Sequence, residues 1–316
     1  MWYRYPYKKQ SKWGTSHVRA QILFCPRNYK FKRFFSSFLR CYWWYLPSHY
    51  SRYIRFRRNY TEAKLSDSEI ITLAIIGEIH GISSGKAWFN YVRKNFKDLF
   101  PNLGHRTGFN RTRRNLESVI NAIRKEIGNY LGYNRSDIYI VESMPIPLCG
   151  FGRAYFCKRF KDISSYGLKL HAAVTLEGYV TDIEITAVNV DDRAILWKIF
   201  QSTYQPIVLG DKGYIGDELA KNLKNEKGVT LLALKRNNSK NPYPKDLRNW
   251  ISKHRRRIET TFSQLADQVH INELLANSLT GLKARIQSKI LGHNIAYFMN
   301  KYLCNPTTGQ IKHLIF

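Results

Sequence analysis

The sequence is short of negative charge. Its 316 residues include 23 Asp and Glu against 51 Lys and Arg, a formal net charge of +28. Self-repulsion at that charge works against a compact state, so a polyanionic partner is expected. Nucleic acid is the first candidate and an anionic membrane surface the second. The shortage is greatest at the start, where residues 1–60 contain no acid and the first is Glu62. Long apolar runs are also missing. No stretch reaches the ~18 apolar residues that a membrane-spanning helix needs. The segment Phe34–Pro47 is too short and carries Arg40. No apolar core followed by small residues opens the chain, so no secretory signal is expected. Cysteine is sparse, with five residues and no CxxC pair. Cys149, Cys157 and His171 match no common zinc spacing. These features together lead to the expectation of a cytoplasmic protein with reduced thiols.

What residues 1–60 do hold is 14 Lys and Arg and 19 of the 45 aromatics, as in "CYWWY" at 41–45. Neither helical nor strand periodicity persists there. Such a segment either binds nucleic acid by charge and stacking or is not part of the domain at all. From Leu65 the texture is ordinary globular sequence. Residues 61–134 read as a small helical domain. Ser66 with Glu69 forms a capping-box pattern, followed by Ile70, Leu73 and Ile76 at helical spacing. A second helix is expected over Ser84–Phe96 and a third from about Thr107 to Leu131. The third is basic, and in a DNA major groove Arg106, Arg111, Arg113 and Arg114 would meet phosphates or bases. A helical bundle with a solvated basic face accounts for the same pattern.

After Asn134 the period changes, and residues 135–305 read as one α/β domain. "DIYIVES" (137–143) is a strand that breaks at Pro145. Residues 166–188 read as a hairpin turning at Glu177-Gly178. A helix follows over 191–202, with Asp191 and Asp192 as N-cap and first-turn acid. Residues 206–214 form a fully apolar, buried strand ending at Gly210-Asp211. A helix over 216–228 stops at Gly228, and a fifth strand covers 229–236. Long helices cover 249–268 and 279–303. This order predicts a mixed five-stranded sheet flanked by helices, as in the ribonuclease-H-like fold.

Three acids stand where side chains can converge. Glu142 ends the first strand, Asp211 ends the fourth, and Glu259 lies on a long basic helix. Carboxyl ends of strands in open α/β sheets face the ligand crevice. Clustered carboxylates repel unless cations neutralise them, and hard oxygen ligands select Mg²⁺ or Mn²⁺. Two such ions can clamp the attacking and leaving oxygens of a phosphoryl transfer. Each acid also has a plainer reading: Asp211 as a turn residue, and Glu259 as the i, i+4 partner of Arg255. Lys212, Lys235, Arg236 and the run Arg255, Arg256, Arg257 would hold phosphates. Arg153, Lys158, Arg159 and Lys161 could do the same.

"VESMPIPLC" (141–149), "LGDKGYIG" (209–216) and "RRRIETTFSQL" (255–265) resemble the three catalytic blocks of bacterial insertion-sequence transposases of the DDE class. The resemblance runs from about Leu65 to Leu303. It implies an Asp-Asp-Glu set binding two Mg²⁺ in a ribonuclease-H-like domain, hydrolysis at element ends, and attack by the freed 3′-hydroxyl on target DNA. It also implies terminal inverted repeats as DNA partner and a homo-oligomer acting on paired ends. Asp211 matches the second acid, Glu259 the third, and Arg255 the arginine before it. Ser252 and Ala266 stand where that family often has tyrosine and lysine. At the first acid the family has Asp-Ser-x-Pro, and this chain has Glu142-Ser143-Met144-Pro145. The extra methylene shifts a carboxylate by on the order of 1 Å, a displacement that can cost roughly 10²-fold in rate. The competing readings are a catalytically inactive DNA-binding descendant and a general nuclease.

Overall fold

The computed structural model describes residues 64–147, 167–200, 205–236, 238–276 and 278–299. The basic N-terminal residues 1–60, the basic residues Arg153, Lys158, Arg159 and Lys161, and all five cysteines lie outside the described residues. Among the described residues, no helix is long and apolar enough to cross a membrane.

Among the described residues four helices come first: α1 (Asp67–Ile79), α2 (Gly85–Asn95), α3 (Arg106–Asn115) and α4 (Glu117–Tyr130). The capping box forms as expected, with the Ser66 hydroxyl accepting from the Glu69 N–H and Glu69 accepting from the Ser66 N–H at 2.8 Å. Gly77 is not a weakness in α1. Trp88 of α2 lies against it and donates to the Leu73 carbonyl at 2.9 Å, and a Cβ at position 77 would fall 2.8 Å from the indole nitrogen. The single third helix expected over 107–131 is two helices joined at Leu116. Leu116 is buried; α3 and α4 both pack on the C-terminal helix, and α3 also packs on α1. Arg-rich α3 buries only Phe109, so little apolar surface holds it in line with α4.

The sheet comprises β1 (Ile138–Pro147), β2 (Gly167–Thr175), β3 (Val180–Ala187), β4 (Ile207–Gly210) and β5 (Thr230–Ala233). Its order is β3-β2-β1-β4-β5. β1–β2 and β2–β3 are antiparallel, while β1–β4 and β4–β5 are parallel. Helices α5 (Asp192–Ile199), α6 (Asp217–Lys227), α7 (Lys245–Asp267) and α8 (Leu279–Met299) complete the fold. The five-stranded mixed sheet flanked by helices is ribonuclease-H-like, as the sequence predicts. One face packs on α7 and α8 through Ile140, Leu170, Leu209, Ile258, Leu265 and Ile286. The other packs on α5 and α6 through Tyr139, Val208, Leu196 and Leu223. Full burial of one such aliphatic side chain stabilises by roughly 1.5–3 kcal/mol.

Several boundaries differ from expectation. β1 does not break at Pro145 but runs to Pro147. β4 pairs with β1 only as far as Ile140, so among the described residues no strand pairs with that edge of β1 beyond it, and proline is tolerated there. β4 ends at Gly210, in keeping with the expected end at Gly210-Asp211, and residues 212–214 form a single 3-10 turn. β5 is only four residues long, and α7 starts at Lys245, just after Pro244.

Helix α8 joins both halves of the molecule. Leu291 and Ile295 belong to the apolar core of α1–α4, whereas Ile286 and Ile290 belong to the sheet core. A helix buried on all sides must satisfy its polar groups internally. Asn294 donates to the Val180 carbonyl and accepts from the Val180 N–H, capping the start of β3 as a strand neighbour would. His293 is 3.0 Å from Gln264, and burial pushes its pKa down to about 4. Arg285 pairs with both oxygens of Glu78, and Lys289 reaches the same carboxylate at 2.6 Å. Burial alone would raise the Glu78 pKa, but Arg285, Lys289 and Arg113 outweigh it and hold the carboxyl below its ordinary value.

A buried carboxylate with two close cations leaves uncompensated charge when it is removed. Glu78→Gln is expected to cost about 3–5 kcal/mol in urea unfolding. Because the folded-state pKa is depressed, this stabilisation is complete above the unfolded carboxyl pKa and is lost as pH falls through the folded value. The variant's stability deficit should therefore shrink in acid; a deficit independent of pH would contradict the ion-pair account.

Candidate active site

Alternation along β1 sends Ile140, Glu142 and Met144 towards α7, and Tyr139, Val141 and Ser143 towards α5. The parallel β1–β4 pairing then places Asp211, one residue past β4, beside the continuing strand that carries Glu142. On α7 the buried residues Ile251, Ile258 and Leu265 recur every seven residues and press the helix onto the sheet. Arg255 and Glu259, one turn apart, flank that stripe.

Arg255 makes the central contact. Its Nη1 donates to Glu142 Oε2 at 3.0 Å, and its Nη2 donates to Glu259 Oε1. One guanidinium thus ties the strand acid to the helix acid. The side chains of Arg255 and Glu142 are 18% and 24% exposed and that of Glu259 is 47% exposed, so the first pair is the better sheltered from water. Burial pushes the Glu142 carboxyl above its ordinary pKa; Arg255 opposes this, while Glu259 and Asp211 add to it. Asp211 is therefore within electrostatic reach of Glu142 even though no bond joins them.

Asp211 also does the turn work expected of it. Its Oδ1 accepts from the Gly213 N–H at 2.7 Å and starts the 3-10 turn. The two glycines of "LGDKGY" have steric reasons. A Cβ at Gly210 would lie 3.0 Å from the Tyr214 ring, and one at Gly213 would lie 3.0 Å from Asp211 Oδ1. Tyr214 is buried among acids. Burial first, then Asp192, Asp211, Glu142 and Asp191, raise its pKa and keep the phenol neutral.

The basic residues singled out from sequence separate into two groups. Arg111, Arg114, Lys212, Arg236 and Arg256 are exposed. The others are engaged within the protein. Lys235 donates to the Asn241 carbonyl and lies 4.5 Å from the Tyr243 ring centroid. Arg257 donates to the Leu176 carbonyl at 3.0 Å, and Arg113 stands 3.9 Å from buried Glu78. Sequence reasoning missed the Arg255–Glu142 tie, which no spacing rule reveals across 113 residues. It also missed what Asp192 does. Asp191 is the N-cap of α5 and Asp192 the first-turn acid, as expected, but Asp192 also accepts from Ser143 on β1 and Lys169 on β2, each at 2.7 Å.

The donor chemistry of Glu142, Asp211 and Glu259 suits a hard divalent cation, since all three are carboxylates. Their spacing is set for a different cation. Among the described residues, no three His, Cys, Asp or Glu side chains stand close enough to share one metal ion, and the Arg255 guanidinium lies between two of the acids.

A family model described as transposase DDE domain matches residues 133–295, more than half of the chain. No curated protein and no solved structure matches. The matched span covers all five strands, both carboxylate-bearing strand ends and α7.

If Arg255 is the main cation lowering the Glu142 pKa, Arg255→Gln will raise it further. Carboxyl ¹³C titration of the glutamates should show one resonance moving to a higher midpoint, with Glu142→Gln identifying it. An unchanged midpoint would mean that the pair does not form in solution.

Proposed function

The chain belongs to the transposase DDE domain family, and on that premise we propose that it cleaves DNA strands at the ends of an insertion sequence and joins them to target DNA. Glu142, Asp211 and Glu259 are the proposed catalytic acids. The observation that supports this reading is the Arg255 bridge between Glu142 and Glu259, with Asp211 one residue past the neighbouring strand β4. The family generally uses divalent metals, and two Mg²⁺ or Mn²⁺ are the proposed cofactors. Bound there, such ions supply charge neutralisation at the attacking and leaving oxygens of a phosphodiester. The chain's own residues do the rest. The acids present oxygen ligands, and Arg255 keeps Glu142 and Glu259 from repelling each other until that charge is neutralised otherwise. Tyr214, held neutral, adds no further negative charge beneath the site.

DNA is the proposed substrate and partner, with terminal inverted repeats and a target duplex bound by a homo-oligomer. Exposed Arg111 and Arg114 on α3 are proposed contacts of the helical region 61–134. Lys212, Arg236 and Arg256 are proposed phosphate contacts near the acids. Lys235, Arg257 and Arg113 reach the partners described above and serve better as braces.

Glu142 supports a second reading. A Glu in place of Asp has the reach to meet Arg255, and on this reading the protein persists as a DNA-binding descendant with impaired chemistry. Strand cleavage of DNA flanking the gene, with Mg²⁺ supplied, separates the two. Glu142→Asp is expected to raise the cleavage rate by on the order of 10²-fold, and Asp211→Asn to abolish it. Cleavage that survives Asp211→Asn would defeat the three-carboxylate site.

A further inference from the structure

On the opposite side of β1 from Glu142 there is a second polar cluster that the proposed chemistry does not use. Asp192, in the first turn of α5, accepts from Ser143 Oγ with Oδ2 and from Lys169 Nζ with Oδ1, both at 2.7 Å. Lys169 also donates to the Val190 carbonyl at 3.0 Å, which fixes the loop leading into α5. Buried His171 sits opposite Ser143 in the β1–β2 register. Its Nε2 is 2.8 Å from Thr186 Oγ1 on β3, and its Nδ1 is 3.8 Å from Asp192 Oδ1 with no hydrogen-bond partner. One carboxylate thus collects ties from β1 and β2.

The placement of this cluster matters because β1 is weakly held where Glu142 stands. The β4 pairing ends at Ile140, so among the described residues β2 alone flanks residues 141–147. Pro145 and Pro147 contribute no N–H to any ladder. A side-chain tie at Ser143 replaces some of the lost backbone restraint. Successive strand residues point to opposite faces, so a tie on the α5 face fixes the peptide whose neighbouring Cβ carries the Glu142 carboxylate to the α7 face. The Asp192 carboxylate is itself favoured at a helix N-terminus, where the dipole is positive.

We propose that Asp192 is a positioning residue: through Ser143 and Lys169 it sets the placement of Glu142 relative to Arg255 and to a bound divalent ion. The metal part of this inference rests on the proposed function, whereas the Arg255 part does not. Loss of such an outer partner typically costs 10–100-fold in metal affinity.

Two readouts test it on the full chain. The first is the side-chain ¹⁵N signal of Arg255 without metal, whose proton exchange is slowed by the Glu142 contact. The second is Mn²⁺ affinity by electron paramagnetic resonance titration. Ser143→Ala and Asp192→Ala are each expected to speed Arg255 exchange and to weaken Mn²⁺ binding by about tenfold. The double variant should be no worse than Asp192→Ala alone, and Asp192→Asn, which keeps one acceptor oxygen for Ser143 but loses the Lys169 ion pair, should recover part of the loss. Ser143→Ala removes one oxygen from a half-buried site, so it supplies the answer if Asp192→Ala fails to fold. Unchanged Arg255 exchange in Ser143→Ala, or additive effects in the double variant, would overturn the proposal. If Arg255 exchange responds while neither the natural protein nor Glu142→Asp binds Mn²⁺, positioning stands and the metal reading of the site fails.

Discussion

Like charges brought together in a half-buried place repel, and Glu142, Asp211 and Glu259 are brought together by the fold itself. The parallel β1–β4 pair sets two of them side by side, and the seven-residue stripe of α7 sets the third across from them. The Arg255 guanidinium makes that arrangement tolerable. It sits on the helix that carries Glu259 and reaches the strand that carries Glu142. Its shape, with several donors in a fixed fork, lets one residue serve two carboxylates at once. Burial first, then Glu259 and Asp211, hold the Glu142 carboxyl above its ordinary pKa against the pull of Arg255, and a further cation would oppose that shift.

The same logic recurs away from the site with the opposite balance. At Glu78 one carboxylate faces Arg285, Lys289 and Arg113 inside the helix bundle. There the cations dominate, and the carboxyl is held ionised. A buried ion pair is a poor source of net stability but a demanding constraint on geometry. In this chain it fixes α8 against α1, and α8 in turn carries Asn294 to the start of β3. The helical region and the sheet are therefore not loosely tethered. They share one helix whose polar residues are nearly all paired.

Much of the fold was legible in the sequence because local signals agreed with global packing. Capping at Ser66 and Gly228, the turn at Gly178 and the apolar run at 207–210 each led to the element found. Misreadings came where tertiary context overrode a local rule. Pro145 reads as a break, yet it lies in a strand one edge of which, among the described residues, pairs with no other strand there. Residues 107–131 read as one helix, yet there are two, joined at Leu116; both pack on α8, and the first also packs on α1. The three acids could be singled out because strand ends and helix stripes announce themselves. The Arg255–Glu142 and Asp192–Ser143 ties could not, since each joins residues distant in sequence and depends on side-chain reach. Charge alone was also a coarse guide: Lys235, Arg257 and Arg113 read as phosphate contacts but have internal partners.

The account turns on Arg255 standing in for a metal ion between carboxylates. Anomalous diffraction from crystals soaked in Mn²⁺ tests this most directly. The expected result is an Mn²⁺ peak bounded by Glu142, Asp211 and Glu259, with the Arg255 side chain displaced from Glu142. A map with Mn²⁺ bound elsewhere, and Arg255 still bridging Glu142 and Glu259, would contradict it.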